Sequence, residues 1–252
     1  MSDRPVAIVT GGARGIGGAI SERLAADGYD VVINYVNSKA ATETLIATIE
    51  CGGGRALGLQ ANVADESACR SLVNRTLEEF GRVDVLVNNA GVATTGTLLG
   101  DTTHAQWREI IDTNLHGVFN MTHAVLPSMR AAKSGNIVNL SSNVTQRMPA
   151  GFGPYTVSKN AVEAFTRILG KEEGPNGIRV NAIAPGPIMT DMFQELMEVM
   201  GPERAEAFVK SVPLGRTGQP AEIAAMVAML VSETASFVTS EVIYVNGGGP
   251  GG

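Results

Sequence analysis

The chain has 252 residues, 44% hydrophobic and 17% charged, a globular balance with length enough for one substantial core or two small ones. Its 19 Lys and Arg against 25 Asp and Glu leave a net charge of −6 with no basic run, which argues against a nucleic-acid binder. Cys51 and Cys69 are too few for a disulfide framework, and His104, His116 and His123 lack metal-ligand spacing, so no metal is expected. No stretch approaches the ~20 apolar residues of a membrane span, and a cytoplasmic, reducing location is the default expectation.

Pro5–Thr10 is apolar and β-branched and reads as a first strand, followed by glycines and a helical pattern through Gly28. Asp30–Tyr35 predicts the second strand, Lys39–Glu50 a helix, Arg55–Ala61 a strand and Glu66–Phe80 a helix. Val83–Asn88 reads as strand, Thr103–Ala131 as one long helix and Asn136–Ser141 as strand. Pro154–Glu172 (helix), Ile178–Ala184 (strand), Pro220–Val231 (helix) and Glu241–Val245 (strand) complete the series. Strand–helix alternation implies a parallel sheet, because each strand must return through a crossover that covers a sheet face. With no polar linker dividing it, the chain reads as one doubly wound α/β domain over 1–252. The connection at about 187–215 is long and carries Met192, Phe193, Leu196, Met197 and Met200. They predict a short amphipathic helix, either a lid over the substrate or an ordinary packing or subunit-contact helix.

Between first strand and first helix lies Thr10-Gly11-Gly12-Ala13-Arg14-Gly15-Ile16-Gly17. Glycines there let backbone N–H groups approach a pyrophosphate at a helix N-terminus. The spacing is not G-x-G-x-x-G, since Ile20 occupies the third glycine's place, and a tight turn needing positive φ would also explain it. Asn88-Asn89-Ala90-Gly91 ends the fourth strand. Ser142, Tyr155 and Lys159 follow as Ser-x12-Tyr-x3-Lys, then Pro185-Gly186-Pro187-Ile188-Met189-Thr190, then Val245-Asn246-Gly247-Gly248. A tyrosine and lysine four apart on a helix carry little alone. All these motifs, in this order from Val6 to about Gly248, make the chain resemble the short-chain dehydrogenase/reductase family, particularly its 3-oxoacyl-thioester (acyl-carrier-protein) reductase-like members. The resemblance implies a Rossmann-type seven-stranded parallel sheet flanked by helices.

Reducing a ketone needs a hydride on carbon and a proton on the developing alkoxide, and the donor's pKa should lie near working pH. A phenol at pKa ~10 suits this when positive charge favours the phenolate, and Lys159 falls on the same helix face as Tyr155. The resemblance implies Tyr155 as proton donor, Lys159 at the nicotinamide ribose and the phenol, and Ser142 on the carbonyl oxygen. Asn114, in Asn-Leu-x-Gly-Val-Phe, matches the member that holds a water linking Lys159 to solvent. For the cofactor it implies Gly11, Arg14, Gly15, Ile16 and Gly17 at phosphates and ribose, and Asn62 and Val63 beside adenine. Asn89, Ala90 and Gly91 would line the ribose, with Pro185, Gly186, Ile188 and Thr190 around the carboxamide. Asn62 departs from the family's usual aspartate.

No acid ends the second strand, so nothing there would repel a 2′-phosphate, and Arg14 matches a basic residue of NADP-using members. Asn34, Asn37, Ser38 and Lys39 could add donors. NADP(H) is preferred, with NAD(H) left open. Ala93–Thr95, Asn143–Phe152 and the segment after Ile188 should line the substrate pocket, which Met148, Phe152, Met192, Phe193 and Met197 make apolar. The resemblance offers an acyl carrier protein as partner, with Lys133 as one basic contact but Asn176 at the second. It also implies a homotetramer, for which Ala161, Ala164, Phe165, Ile168 and Leu169 fit an interface or a core face. Two readings compete with a ketone reductase: an alcohol, polyol or sugar dehydrogenase working oxidatively, and a dinucleotide-binding sensor without turnover.

Overall fold

Strand β1 (Val6–Val9) buries all four of its apolar residues, as a strand covered on both faces must. The computed structural model describes residues 4–93 and 96–249. It continues as α1 (Gly15–Ala26), β2 (Asp30–Tyr35), α2 (Lys39–Cys51), β3 (Arg55–Gln60), α3 (Glu66–Phe80) and β4 (Val85–Asn88). Next come α4 (His104–Ile111), α5 (Gly117–Ala132), β5 (Gly135–Leu140), α6 (Val144–Arg147), α7 (Gly153–Glu173) and β6 (Ile178–Pro185). The chain closes with α8 (Asp191–Met200), α9 (Pro202–Lys210), α10 (Pro220–Val231) and β7 (Val242–Val245).

The seven strands form one parallel sheet in the order β3-β2-β1-β4-β5-β6-β7. Val9 pairs with Ile33 on one side and Val87 on the other, so the chain's direction of travel reverses between β1 and β4. The loops leaving those two strands diverge there and open a crevice at the carboxyl end of the sheet. Side chains alternate across it. Ala7, Val9, Val31 and Ile33 pack with Ile20, Leu24, Ile223 and Val227, while Val6, Ile8, Val32 and Leu86 pack with Leu72, Val73, Met121 and Val125. The expected single doubly wound domain is therefore the observed one.

Helix starts follow local chemistry. Asp65 accepts from the backbone of Ser67 and Ala68 ahead of α3, Thr103 and Gln106 form a capping box on α4, and Pro220 opens α10. Two expectations are corrected. The helix predicted over Thr103–Ala131 is interrupted by a π-helical turn at Asp112–His116, because buried Asn114 reaches for partners off the helix. The connection after β6 carries two helices rather than one: Gly201, at φ +79°, ends α8, and Pro202 opens α9. Thr94, Thr95, the side chains of Met192 and Leu196 and the tail beyond Gly249 lie outside the described residues. No helix among those described is long and apolar enough to cross a membrane.

Candidate active site

The glycine-rich turn after β1 is shaped by close approach. Gly11 and Gly15 hold φ of +59° and +56°, and a Cβ on Gly17 would lie 2.3 Å from the Gly11 carbonyl oxygen and 2.5 Å from Asn89 Nδ2. Arg14 precedes α1 without a side-chain cap, so the amides of Gly15, Ile16 and Gly17 in the first turn lack an intrahelical acceptor. Those N–H groups and the helix dipole suit a pyrophosphate. The turn is bolted to the end of β4 from both sides. Asn89 Nδ2 donates to the carbonyls of Thr10 and Gly11 at 2.9 and 3.1 Å, and the buried Thr10 hydroxyl accepts from the amides of Asn89 and Ala90 at 3.0 Å each. Thr10 stands in the motif, yet nothing in the spacing marks its hydroxyl as the fastener.

Across the crevice, α7 begins at Gly153 and carries Tyr155 and Lys159 on one face. The Ser142 hydroxyl, at the corner after β5, accepts from the Val144 amide at 3.3 Å and lies near enough to the Tyr155 phenol to affect its proton affinity. Lys159 is 4% exposed; its ammonium donates to the Leu140 carbonyl at 2.7 Å and lies 5.7 Å from the Tyr155 ring centroid. Asn114 is fully buried in the π turn. Its Oδ1 accepts from the Val92 amide at 2.8 Å, and its Nδ2 donates to the Val92 carbonyl at 2.9 Å and to Ser158 Oγ at 3.1 Å. Ser158 in turn donates to the Tyr155 carbonyl at 2.7 Å, a link that the motif spacing gave no reason to seek. A Cβ on Gly91 would sit 3.3 Å from Asn114 Oδ1 and 3.5 Å from Lys159 Nζ, so glycine keeps the space between them open. Ser142, Tyr155, Lys159 and Asn114 are brought together.

Burial sets the proton affinities here. It raises the Tyr155 phenol above its usual value, with the Ser142 hydrogen bond pulling partly back. Burial also lowers the Lys159 ammonium from 10.5 to about 8. In the protein alone desolvation sets the direction of the phenol's shift, upward. Near neutral pH the site holds a protonated phenol, an ammonium and a serine hydroxyl: a proton donor with positive charge behind it.

Other sequence-predicted residues divide in two groups. Ile188 is buried and Thr190 caps α8, accepting from the Phe193 amide at 3.3 Å; Thr190 Cγ2 would lie 3.6 Å from a Cβ on Gly15, so this segment borders the glycine turn. Pro185 ends β6, and Gly186 follows so close to Asn246 that a Cβ would lie 2.6 Å from its Cα. Val63 is buried against Gly117, and Asn62 is exposed with Oδ1 accepting from Ala64 N–H at 3.0 Å. Asn34, however, is 1% exposed and spends its amide inside the fold: Oδ1 accepts from Gly11 N–H at 3.3 Å, and Nδ2 donates to the carbonyls of Ala61 and Leu59 at 2.9 and 3.3 Å. It buttresses the turn and has no donor to spare. Ser38 is half-buried before α2 without a capping bond, and Arg14 projects into solvent 3.7 Å from Asp191. Around the crevice mouth, Met148 is exposed, Phe193 packs on Phe208 at 6.0 Å, and the Arg147 guanidinium lies 5.2 Å from the Phe208 ring centroid. Cys69 is inert: burial pushes its thiol up to about 12.

Known proteins share both sequence and fold. A family model described as enoyl-(acyl carrier protein) reductase matches residues 11–249. The chain is 40% identical over 242 residues to a Staphylococcus aureus 3-oxoacyl-[acyl-carrier-protein] reductase, covering 96% of each chain. A Synechocystis 3-oxoacyl-[acyl-carrier-protein] reductase is 41% identical over 244 residues, again with 96% of each covered. A short-chain dehydrogenase/reductase of Serratia marcescens superposes with a TM-score of 0.90 at 32% identity, covering 97% of each chain. The chain therefore belongs to the short-chain dehydrogenase/reductase family, close to its 3-oxoacyl-carrier-protein-reductase-like members, as an NAD(P)H-dependent oxidoreductase acting on CH–OH and C=O groups.

Proposed function

We propose that the chain is an NADPH-dependent carbonyl reductase that converts a fairly apolar ketone to a secondary alcohol, with Tyr155 as proton donor. The observation that carries this reading is the Tyr155 phenol beside the Ser142 hydroxyl, with the buried Lys159 next to Gly91 at the strand end that Asn89 fastens to the glycine turn. A reduced nicotinamide, when bound, would supply the hydride. Ser142 and Tyr155 then hydrogen-bond the same carbonyl oxygen, which polarises it and stabilises the developing oxyanion. Tyr155 gives up its proton to that oxygen, and the Lys159 charge stabilises the phenolate left behind. Asn114 fixes the π turn and the space below Gly91, where a water would connect Lys159 to solvent.

The residues present fit the dinucleotide. The α1 amides with Gly11 and Gly15 would receive the pyrophosphate, Asn62 and Val63 would flank adenine, and Asn89, Ala90 and Gly91 would follow the ribose. Ile188 and Thr190, with Pro185 and Gly186 shaping the approach, would hold the carboxamide. Arg14 with Ser38 favours a 2′-phosphate, and Asn34 supports the turn from behind. Helices α8 and α9 then act as a lid over a pocket that Phe193, Met148 and Phe152 make apolar. The names of the staphylococcal and cyanobacterial relatives make 3-oxoacyl thioesters the first substrates to test. Lys133 is free to meet a carrier protein only beyond its bond to Asn176 at 3.0 Å. Exposed Phe119 on α5 and exposed Val157 and Ile168 on α7 support self-association through those helices into a homotetramer, while Leu169 is core.

The test follows reduced-nicotinamide absorbance over a panel of 3-oxoacyl thioesters, simple ketones and sugars. About tenfold or greater preference for NADPH over NADH in kcat/KM is expected, a difference of ~1.4 kcal/mol. Failure of every ketone to oxidise either cofactor would overturn the reductase reading, and a preference for NADH would overturn the cofactor reading.

A further inference from the structure

Glu163 sits on α7 one helical turn beyond Lys159 and is 5% exposed. A buried carboxylate is costly unless its neighbours satisfy it. Here those neighbours belong to the segments that hold Ser142. Ser141 Oγ donates to Glu163 Oε1 at 2.8 Å, and the Tyr244 hydroxyl of β7 donates to the same carboxylate, 3.1 and 3.2 Å from its two oxygens. With the Tyr244 hydrogen committed there, the Thr145 hydroxyl shares its own between Tyr244 Oη at 3.0 Å and the Ser142 carbonyl at 2.8 Å. Arg167, half-exposed, stands 3.7 Å from Oε2. One carboxylate thus reaches the residue before Ser142 directly and the Ser142 carbonyl through two hydroxyls. The chain must turn here, from β5 into α6, while keeping the Ser142 hydroxyl beside Tyr155.

We propose that Glu163, acting through Ser141, Tyr244 and Thr145, is a positioning residue that fixes Ser142 for its part in carbonyl reduction. This rests on the reading of Ser142 as the hydroxyl that holds the substrate oxygen. Glu163 touches neither substrate nor cofactor. Its work is to remove alternative conformations of the corner, so that the serine hydroxyl does not have to be ordered during each turnover.

The experiment combines Glu163→Leu, Glu163→Gln and Tyr244→Phe with a double-mutant cycle against Ser142→Ala and with hydrogen exchange over residues 141–148. All rates are taken per NADPH-binding site. Glu163→Leu is expected to lower kcat about tenfold while KM for NADPH stays within about twofold, and Glu163→Gln, which keeps an acceptor, to recover part of that loss. In the Ser142→Ala background Glu163→Leu should cost less than about twofold more, because there is no longer a hydroxyl to position. Exchange over 141–148 should quicken while the first turn of α1 is unchanged. An equal loss in both backgrounds, or unaltered exchange, would overturn the proposal. If Glu163→Leu does not fold, Glu163→Gln and Tyr244→Phe carry the same two readouts. A wild-type chain that turned over no ketone would sink the reductase reading alone, since the exchange measurement still decides whether Glu163 holds the corner.

Discussion

Lys159 and Arg14 are two cations of one crevice, the first 4% exposed and the second with a side chain 69% exposed. Lys159 is pinned to the Leu140 carbonyl, and burial lowers its ammonium to about 8. Arg14 hangs from a helix start with only exposed Asp191 at 3.7 Å to attract it. At the buried end, charge is held where it is energetically unwelcome and the fold bears the cost. At the exposed end, charge costs nothing to keep and contributes little to stability. On the proposed reading, the chemistry is set by the first region and selection between NADP(H) and NAD(H) falls to the second.

The contrast breaks most visibly at Lys159. Its pKa of about 8 lies below the usual 10.5, so the unfolded chain binds the proton more tightly, and stability rises with pH between those values. Below pH 8 the buried ammonium therefore costs on the order of 3 kcal/mol. Lys159→Met is expected to reduce turnover about 10²-fold or more. The same change should raise stability at pH 7 by up to that ~3 kcal/mol, a gain that shrinks as pH rises from about 8 and is gone above about 10.5 in urea unfolding. A variant less stable than wild type at pH 7 would count against the burial argument.

Gly17→Ala probes the seam between the regions. Its Cβ would stand 2.3 Å from a backbone oxygen that cannot swing aside. We expect about 1–3 kcal/mol of lost stability by thermal unfolding. NADPH binding, followed by fluorescence titration, should weaken about tenfold or more; unchanged binding would mean the cradle is not where the dinucleotide sits. Arg14→Ala should have the smallest and most selective effect. NADPH affinity falls about tenfold, NADH affinity stays level, and stability moves by less than about 0.5 kcal/mol. Equal weakening for both cofactors would remove Arg14 from 2′-phosphate recognition.

Much of this was legible from residues. Alternating Val- and Ile-rich strands and helical segments give the parallel sheet, because burying both faces of a strand leaves a simple apolar run. Glycine spacing marks the cradle, because close approach forbids side chains there. What escaped was set by long-range partners. The π turn at Asn114 leaves no trace in helical periodicity, since it follows from one amide finding Val92 and Ser158 far along the chain. Asn34 reads as a surface donor at a strand end, yet the glycine turn closes over it. The direction of the Tyr155 shift depends on burial that spacing cannot report.

The most direct test of the central claim is a single-turnover measurement of NADPH oxidation at saturating ketone, comparing wild type with Tyr155→Phe after both are shown to bind NADPH equally. Removing the phenol hydroxyl should slow the step about 10²-fold or more with the cofactor still in place. Equal rates would mean that the proton comes from elsewhere, and the account of the site would be wrong.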